Sequence, residues 1–176
     1  GRRPQKNYGE SGAGYMSKTI TVGIADLNVA KDDDTLVTYA LGSCVGICLY
    51  DPVYKLAGLS HIMLPSVKDF TDPQAAAQTA KYADTAIELL MKKLIGMGAG
   101  KIRLRAKIAG GAQMFAPVNN SSLAGIGERN VIAVKKELAR LSIPIVAEDT
   151  GKNYGRTLYL TAADGVMRLK PDNKRE

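Results

Sequence analysis

Residues 45–51 read VGICLYD. The run is almost continuously apolar, without the polar–apolar alternation of a strand that faces water on one side. That is the pattern of a strand covered on both faces, so it calls for packed material above and below it. Asp51-Pro52 ends the run, and the following AGLSHIML makes the next strand, stopped by Pro65. On the other side, TITVGIADLNVA and residues 35–40 read as further short strands.

The second half alternates helices with strands. Asp72-Pro73 is a helix start, the aspartate as cap and the proline in the first position. The helix is expected to run to about Leu94, with Ala76, Ala80, Ala83, Ile87, Leu90, Met91 and Leu94 as its inner stripe and Gly96, Gly98 and Gly100 ending it. KIRLRAKI alternates charge with apolar side chains and predicts a strand with Ile102, Leu104, Ala106 and Ile108 on one covered face. A second helix is expected from near Glu128 to Arg140, then a strand at IPIVAED. TLYLTAADGVMRLK places Asp164-Gly165 between two apolar runs, a hairpin signal. Many short strands with two substantial helices make an α+β protein, its sheet layers covered on one side by the helices.

A chain of 176 residues, 45% apolar, suits one domain with a sizeable core. We expect residues 1–17 to be a disordered tail, in part an artificial leader before Met16, residues 18–170 to form the domain, and 171–176 to be a second tail. No window approaches eighteen continuous apolar residues, and no apolar signal core opens the chain, so neither membrane insertion nor secretion is expected. Two cysteines four residues apart do not staple a fold of this size, which favours a reduced, cytoplasmic setting. The net charge of +7 lies mostly in the tails, +3 in residues 1–18 and +2 in residues 168–176. A nucleic-acid reader concentrates charge on one folded face, so none is expected as a partner.

Chemistry concentrates around Cys44, which follows Leu-Gly-Ser, and His61, the single histidine. In a strand, residues four apart lie roughly 13 Å apart, too far for Cys44 and Cys48 to share a zinc ion or a disulfide. Cys48, between Ile47 and Leu49, reads as a small core residue. Cys44 sits among Gly42, Ser43 and Gly46, where the backbone can approach a ligand closely. A thiol needs a base or backbone dipoles to react near neutrality, and histidine is the side chain suited to shuttle its proton. His61 reads equally as a packing residue beside Met63 and Leu64. A third residue to orient the imidazole is open among Thr38, Ser43, Asp51, Glu148 and Asp149. Gly110-Gly111 in KIAGGAQMF offers either N–H donors for an anion or a tight turn, and GIGERN carries the same ambiguity.

TLVTYALGSCVGICLYD, GLSHIMLP, KIAGGAQMF and IGERNVIAVKKELARLSIPIVAEDTGKNYGRTL together resemble the CheD family of chemoreceptor glutamine deamidases, over roughly residues 20–170. The resemblance implies a layered α/β/β sandwich, two main helices covering packed mixed sheets. It implies a nucleophile at Cys44, a general base at His61 and a third catalytic residue at Thr38, six positions before the cysteine. Glutamine side chains of methyl-accepting chemoreceptor cytoplasmic domains would become glutamate, with a Cys44 thioester as intermediate, ammonia as leaving group and no cofactor. A secondary glutamate methylesterase activity and a CheC-type phosphatase partner are further implications. SVKDFTDPQ would border the substrate groove or simply connect strand to helix. Met114 and Phe115 would form a docking edge or pack in the core. The rival readings are a non-catalytic receptor-binding or phosphatase-regulating protein and a cysteine amidohydrolase of small amides.

Overall fold

In the computed structural model, which describes residues 16–69, 73–114 and 125–172, the strand at VGICLYD (β4, Val45–Asp51) lies at the centre of a five-stranded sheet. In chain order the other strands are β1 (Thr19–Thr21), β2 (Asp26–Lys31), β3 (Thr35–Leu41), β5 (Leu56–Ile62), β6 (Arg105–Gly110), β7 (Ile145–Thr150), β8 (Arg156–Thr161) and β9 (Met167–Pro171). The five-stranded sheet runs β2-β5-β4-β6-β7, and a four-stranded sheet runs β1-β3-β8-β9. Both are mixed, since β1 pairs parallel to β3 and β6 parallel to β7 while their other pairs are antiparallel.

Two cores explain the composition of β4. Val45, Ile47 and Leu49 pack with Ala83, Ile87, Leu90 and Leu94 of helix α2 (Ala83–Gly96) and with Val134 and Leu138 of helix α3 (Ile126–Arg140). Cys48 points the other way, into a core shared with Leu36 and Leu41 of β3 and Leu158 and Leu160 of β8. The five-stranded sheet is thus the middle layer, with helices on one face and the second sheet on the other. The α+β sandwich expected from the sequence is the one observed.

Three local expectations need correction. The helix after Pro73 is not continuous: a short α1 (Pro73–Ala77) and a 3-10 turn (Thr79–Lys81) precede α2. Tyr82 breaks it in an extended conformation, because Met63 and Leu64 donate to the Lys81 carbonyl while the Leu64 carbonyl accepts from Ala83. Backbone pairing across the fold, with Tyr82 almost wholly buried, outweighs local helix propensity. As a consequence Ala76 is exposed and Ala75 takes the inner position, while the Asp72 cap falls outside the described residues. Lys101–Arg103 form a 3-10 turn in place of the start of a strand, leaving Ile102 88% exposed although Leu104, Ala106 and Ile108 are buried. Helix α3 begins at Ile126, two residues before Glu128. The Asp164-Gly165 hairpin joins β8 to β9, with Gly165 at φ +70°.

Candidate active site

β3 and β5 face each other across the inter-sheet core, and this brings Thr38 and His61 together. Both are fully buried. Thr38 Oγ1 lies 2.7 Å from His61 Nδ1 and 2.7 Å from the Val22 carbonyl oxygen. A hydroxyl has one proton to give, and a carbonyl can only accept. Thr38 therefore donates to Val22 and accepts from a protonated Nδ1. The tautomer follows: Nε2 carries the lone pair. Among the described residues nothing is hydrogen-bonded to that buried Nε2.

Cys44 occupies the bend between β3 and β4 and is partly exposed. His61 stands opposite Gly46 in the β4–β5 ladder. Opposed residues point to the same face of a sheet, as do residues two apart on one strand, so diagonal neighbours meet at about 7–8 Å between Cα atoms. Cys44 packs against the inter-sheet core, on the face where His61 stands. The unpaired Nε2 and the one partly exposed thiol thus belong to the same end of the same face.

Burial dominates the electrostatics. It pushes the Cys44 thiol above its ordinary value, partly offset by the residue's own backbone N–H. It lowers the His61 imidazole to about 4. The resting pair is a neutral thiol and a neutral imidazole, with no charge separated in a low-dielectric site. Cys48, wholly buried, is pushed to about 12 despite nearby Lys107 and is chemically inert.

The other candidates for orienting the imidazole have different tasks. Asp51 ends β4, away from Cys44, and accepts from Gly100 N, Val53 N and the Arg103 guanidinium. Burial pushes its carboxyl up, but these hydrogen bonds outweigh burial and hold it at about 2. Glu148 pairs with Lys135 and Thr150, and Asp149 with Arg156. Ser43 contributes its carbonyl, which accepts from Asn130 Nδ2 at 2.9 Å.

The glycine pair is a structural turn. Gly111 N donates to the Cys44 carbonyl at 2.8 Å and Ala112 N to the Gly42 carbonyl at 2.8 Å, so neither is left for an anion. Gly110 adopts φ +109°, and a Cβ there would overlap the Cys44 carbonyl oxygen. Gly110→Ala is expected to lower unfolding free energy by roughly 3 kcal/mol, from positive φ and overlap together. A urea titration with an unchanged midpoint would show that the Cys44 turn yields freely. Likewise the glycines of GIGERN serve packing: Gly125 caps α3 at φ +64°, and Gly127 lets the helix touch the Ala112 carbonyl.

Met114 is 41% exposed and lies over Gly42, at the rim beside Cys44, while Phe115 is outside the described residues. Of SVKDFTDPQ, the described part includes Ser66 and Val67, both bonded to Asp84 on α2. A cleft beside the site is lined by Ala25, Met63 and Ala77–Lys81. Asn130, fully buried in α3, was passed over in the sequence, although it falls on the helix's inner stripe with Gly127, Val134 and Leu138. A polar residue on such a stripe was the available signal. No helix among the described residues is long and apolar enough to cross a membrane.

The model of the family described as "CheD chemotactic sensory transduction" matches residues 63–171. The "Probable chemoreceptor glutamine deamidase CheD" of Caldanaerobacter subterraneus subsp. tengcongensis is 52% identical over 154 residues, 88% of this chain and 93% of the relative. The "Chemoreceptor glutamine deamidase CheD" of Halalkalibacterium halodurans is 52% identical over 143 residues, 81% of this chain and 87% of the relative. The Pyrococcus abyssi protein named "Probable chemoreceptor glutamine deamidase CheD" is 47% identical over 155 residues, 88% of this chain and 93% of the relative. The family model begins after His61, but a match of 154 residues in a chain of 176 necessarily spans residues 23–154, Thr38, Cys44 and His61 included. With this extent of identity over nearly the whole of both chains, the protein belongs to the CheD family.

Proposed function

We propose that this chain is a protein-glutamine deamidase, with Cys44 as nucleophile, His61 as base and Thr38 as the residue that orients the imidazole. One observation carries the reading: Thr38, by giving its proton to the Val22 carbonyl, leaves His61 Nε2 as an unpaired buried base at the face of the partly exposed Cys44. The names of the relatives support chemoreceptor glutamines as the substrate, and we place these glutamines on the receptors' cytoplasmic helical domains, with a role in chemotaxis adaptation.

The Cys44 sulfur attacks the glutamine amide carbon while its proton passes to His61 Nε2, since the resting pair is neutral. An S–C bond forms and the carbonyl oxygen becomes an oxyanion. The imidazolium then protonates the amide nitrogen, the C–N bond breaks and ammonia leaves. His61, neutral again, takes a proton from water, which attacks the thioester and releases glutamate and the Cys44 thiol. Thr38 keeps Nδ1–H engaged throughout. No cofactor takes part. A glutamate methyl ester enters the same path with methanol leaving, and a CheC-type phosphatase is the second partner in this reading.

The test is intact-mass analysis and peptide mapping of a purified chemoreceptor cytoplasmic fragment incubated with the protein. Each conversion replaces NH2 by OH, and the expected result is a mass gain located at glutamines. Binding without conversion would replace the proposal with a regulatory role. Turnover of free glutamine in preference to the fragment would replace it with a small-amide hydrolase.

A further inference from the structure

Three consecutive carbonyls around the thiol are each tied to a donor behind them. Ala112 N holds the Gly42 carbonyl at 2.8 Å, Asn130 Nδ2 holds that of Ser43 at 2.9 Å, and Gly111 N holds that of Cys44 at 2.8 Å. Two of these donors are backbone groups of the turn after β6. The third is a side chain from a helix, and it also donates to the Met63 carbonyl at 2.9 Å, two residues beyond His61. Asn130 thus bridges the Cys44 bend to the end of β5 across the mouth of the middle sheet.

The peptide bonds here are trans, so C=O and N–H of one peptide unit point in opposite directions. Fixing the Ser43 carbonyl toward α3 turns the Cys44 N–H away from the helix, and the Ala112 bond to the Gly42 carbonyl fixes the Ser43 N–H on the side opposite Ala112. No other group among the described residues accepts either N–H. The side away from the helix is the inter-sheet side of the middle sheet, where Cys44 packs and His61 stands. A donor beside Sγ is also beside the carbon that Sγ attacks, and so beside the oxygen on which charge develops.

We infer that Asn130 is a positioning residue that fixes the Ser43–Cys44 peptide plane, so that the Cys44 backbone N–H, together with the Ser43 N–H that the Ala112–Gly42 bond fixes, forms the oxyanion hole. The inference rests on the acyl-transfer reading above. It adds a part to that reading which no side chain touching the substrate supplies. Gly127 belongs to the same arrangement, because only without a Cβ does α3 come close enough to the Ala112 carbonyl for Asn130 to reach Ser43.

Two reagents on the full chain separate this role from a general loosening of the site. Alkylation of Cys44 by iodoacetamide needs the thiol and its base but develops no oxyanion. Acylation by p-nitrophenyl acetate needs both: the S–C bond forms, the thiol proton passes to His61, and p-nitrophenolate leaves through an oxyanionic intermediate. With Cys44→Ala subtracted as background, Asn130→Ala is expected to slow acylation roughly 10–100-fold through the misaligned donors. Its alkylation is expected to stay within about threefold of wild type, because His61 still takes the thiol proton and no oxyanion develops. Parallel loss of both reactions, unchanged acylation, or a wild type with no Cys44-dependent acylation would each overturn the inference. If Asn130→Ala is unfolded by circular dichroism, Asn130→Ser, which keeps one donor but does not span both carbonyls, is held to the same criteria. Neither reagent involves the receptor. A wild type that acylates but leaves the receptor fragment unmodified would therefore remove the proposed substrate and leave the role of Asn130 standing.

Discussion

Cys44→Ala is expected to reduce receptor deamidation to background, a loss of roughly 10⁵–10⁶ in rate if the covalent path is the operative one. The size follows from chemistry rather than packing. Cys44 is partly exposed at a bend on the margin of the inter-sheet core, so its truncation removes the sulfur and only a little packing. Cys48→Ala is the matched control. Its side chain lies in the inter-sheet core with a thiol at about 12, so the change should cost some stability and leave the rate per folded molecule unaltered. Rates from intact-mass time courses, with folding checked by urea titration, read both variants. Comparable activity in Cys44→Ala and wild type would remove the nucleophile from the proposal.

His61→Gln is the second large effect, expected at roughly 10³–10⁴ in kcat/KM because, among the described residues, no other base is hydrogen-bonded to Thr38 or stands opposite Gly46. The wild-type pH profile carries the signature of the same residue. With the imidazole lowered to about 4 by burial, the base stays unprotonated well below the usual histidine range. The acid limb of kcat/KM should therefore fall near pH 4 and not near 6.5, with a flat profile through neutrality. Stability follows the same proton. The unfolded chain binds it below pH 6.5 while the folded chain resists until about 4, so unfolding free energy should fall by about 3 kcal/mol across that window and stay constant above it. Asp51, held at about 2, contributes only at lower pH. His61→Gln should abolish the dependence between pH 6.5 and 4. Thr38→Val should lower kcat/KM by roughly 10²-fold, and Thr38→Ser should restore most of it, since either hydroxyl fixes the Nδ1–H tautomer. A wild-type acid limb at 6.5 would mean that His61 is hydrated in solution.

What was legible in the sequence was what short-range pattern controls. VGICLYD announced a strand covered on both faces because its composition has to suit both environments. Asp164-Gly165 announced its hairpin because a turn at positive φ is a local requirement. The stripe Ile87, Leu90 and Leu94 announced which face of α2 lies on the sheet. The reactive types at Cys44 and His61 were visible as residues, and the family resemblance attached roles to them and to Thr38.

The tertiary structure alone decided contacts between elements distant in sequence. Five residues were open as partners for the imidazole, and only the packing of β3 against β5 set Thr38 beside it while sending Asp51 to Arg103 and Asp149 to Arg156. The direction of that hydrogen bond depends on the Val22 carbonyl, a backbone atom that no side-chain pattern encodes. The helix predicted from Pro73 broke at Tyr82 because strand-like pairing with Leu64 satisfied its backbone better than a continued helix. Asn130 acquired two carbonyl partners from segments 87 and 67 residues away. Periodicity records which face of an element is covered, because burial acts on each residue separately. Hydrogen bonds between elements require both partners at a given distance and angle, and that information exists only once the chain has folded.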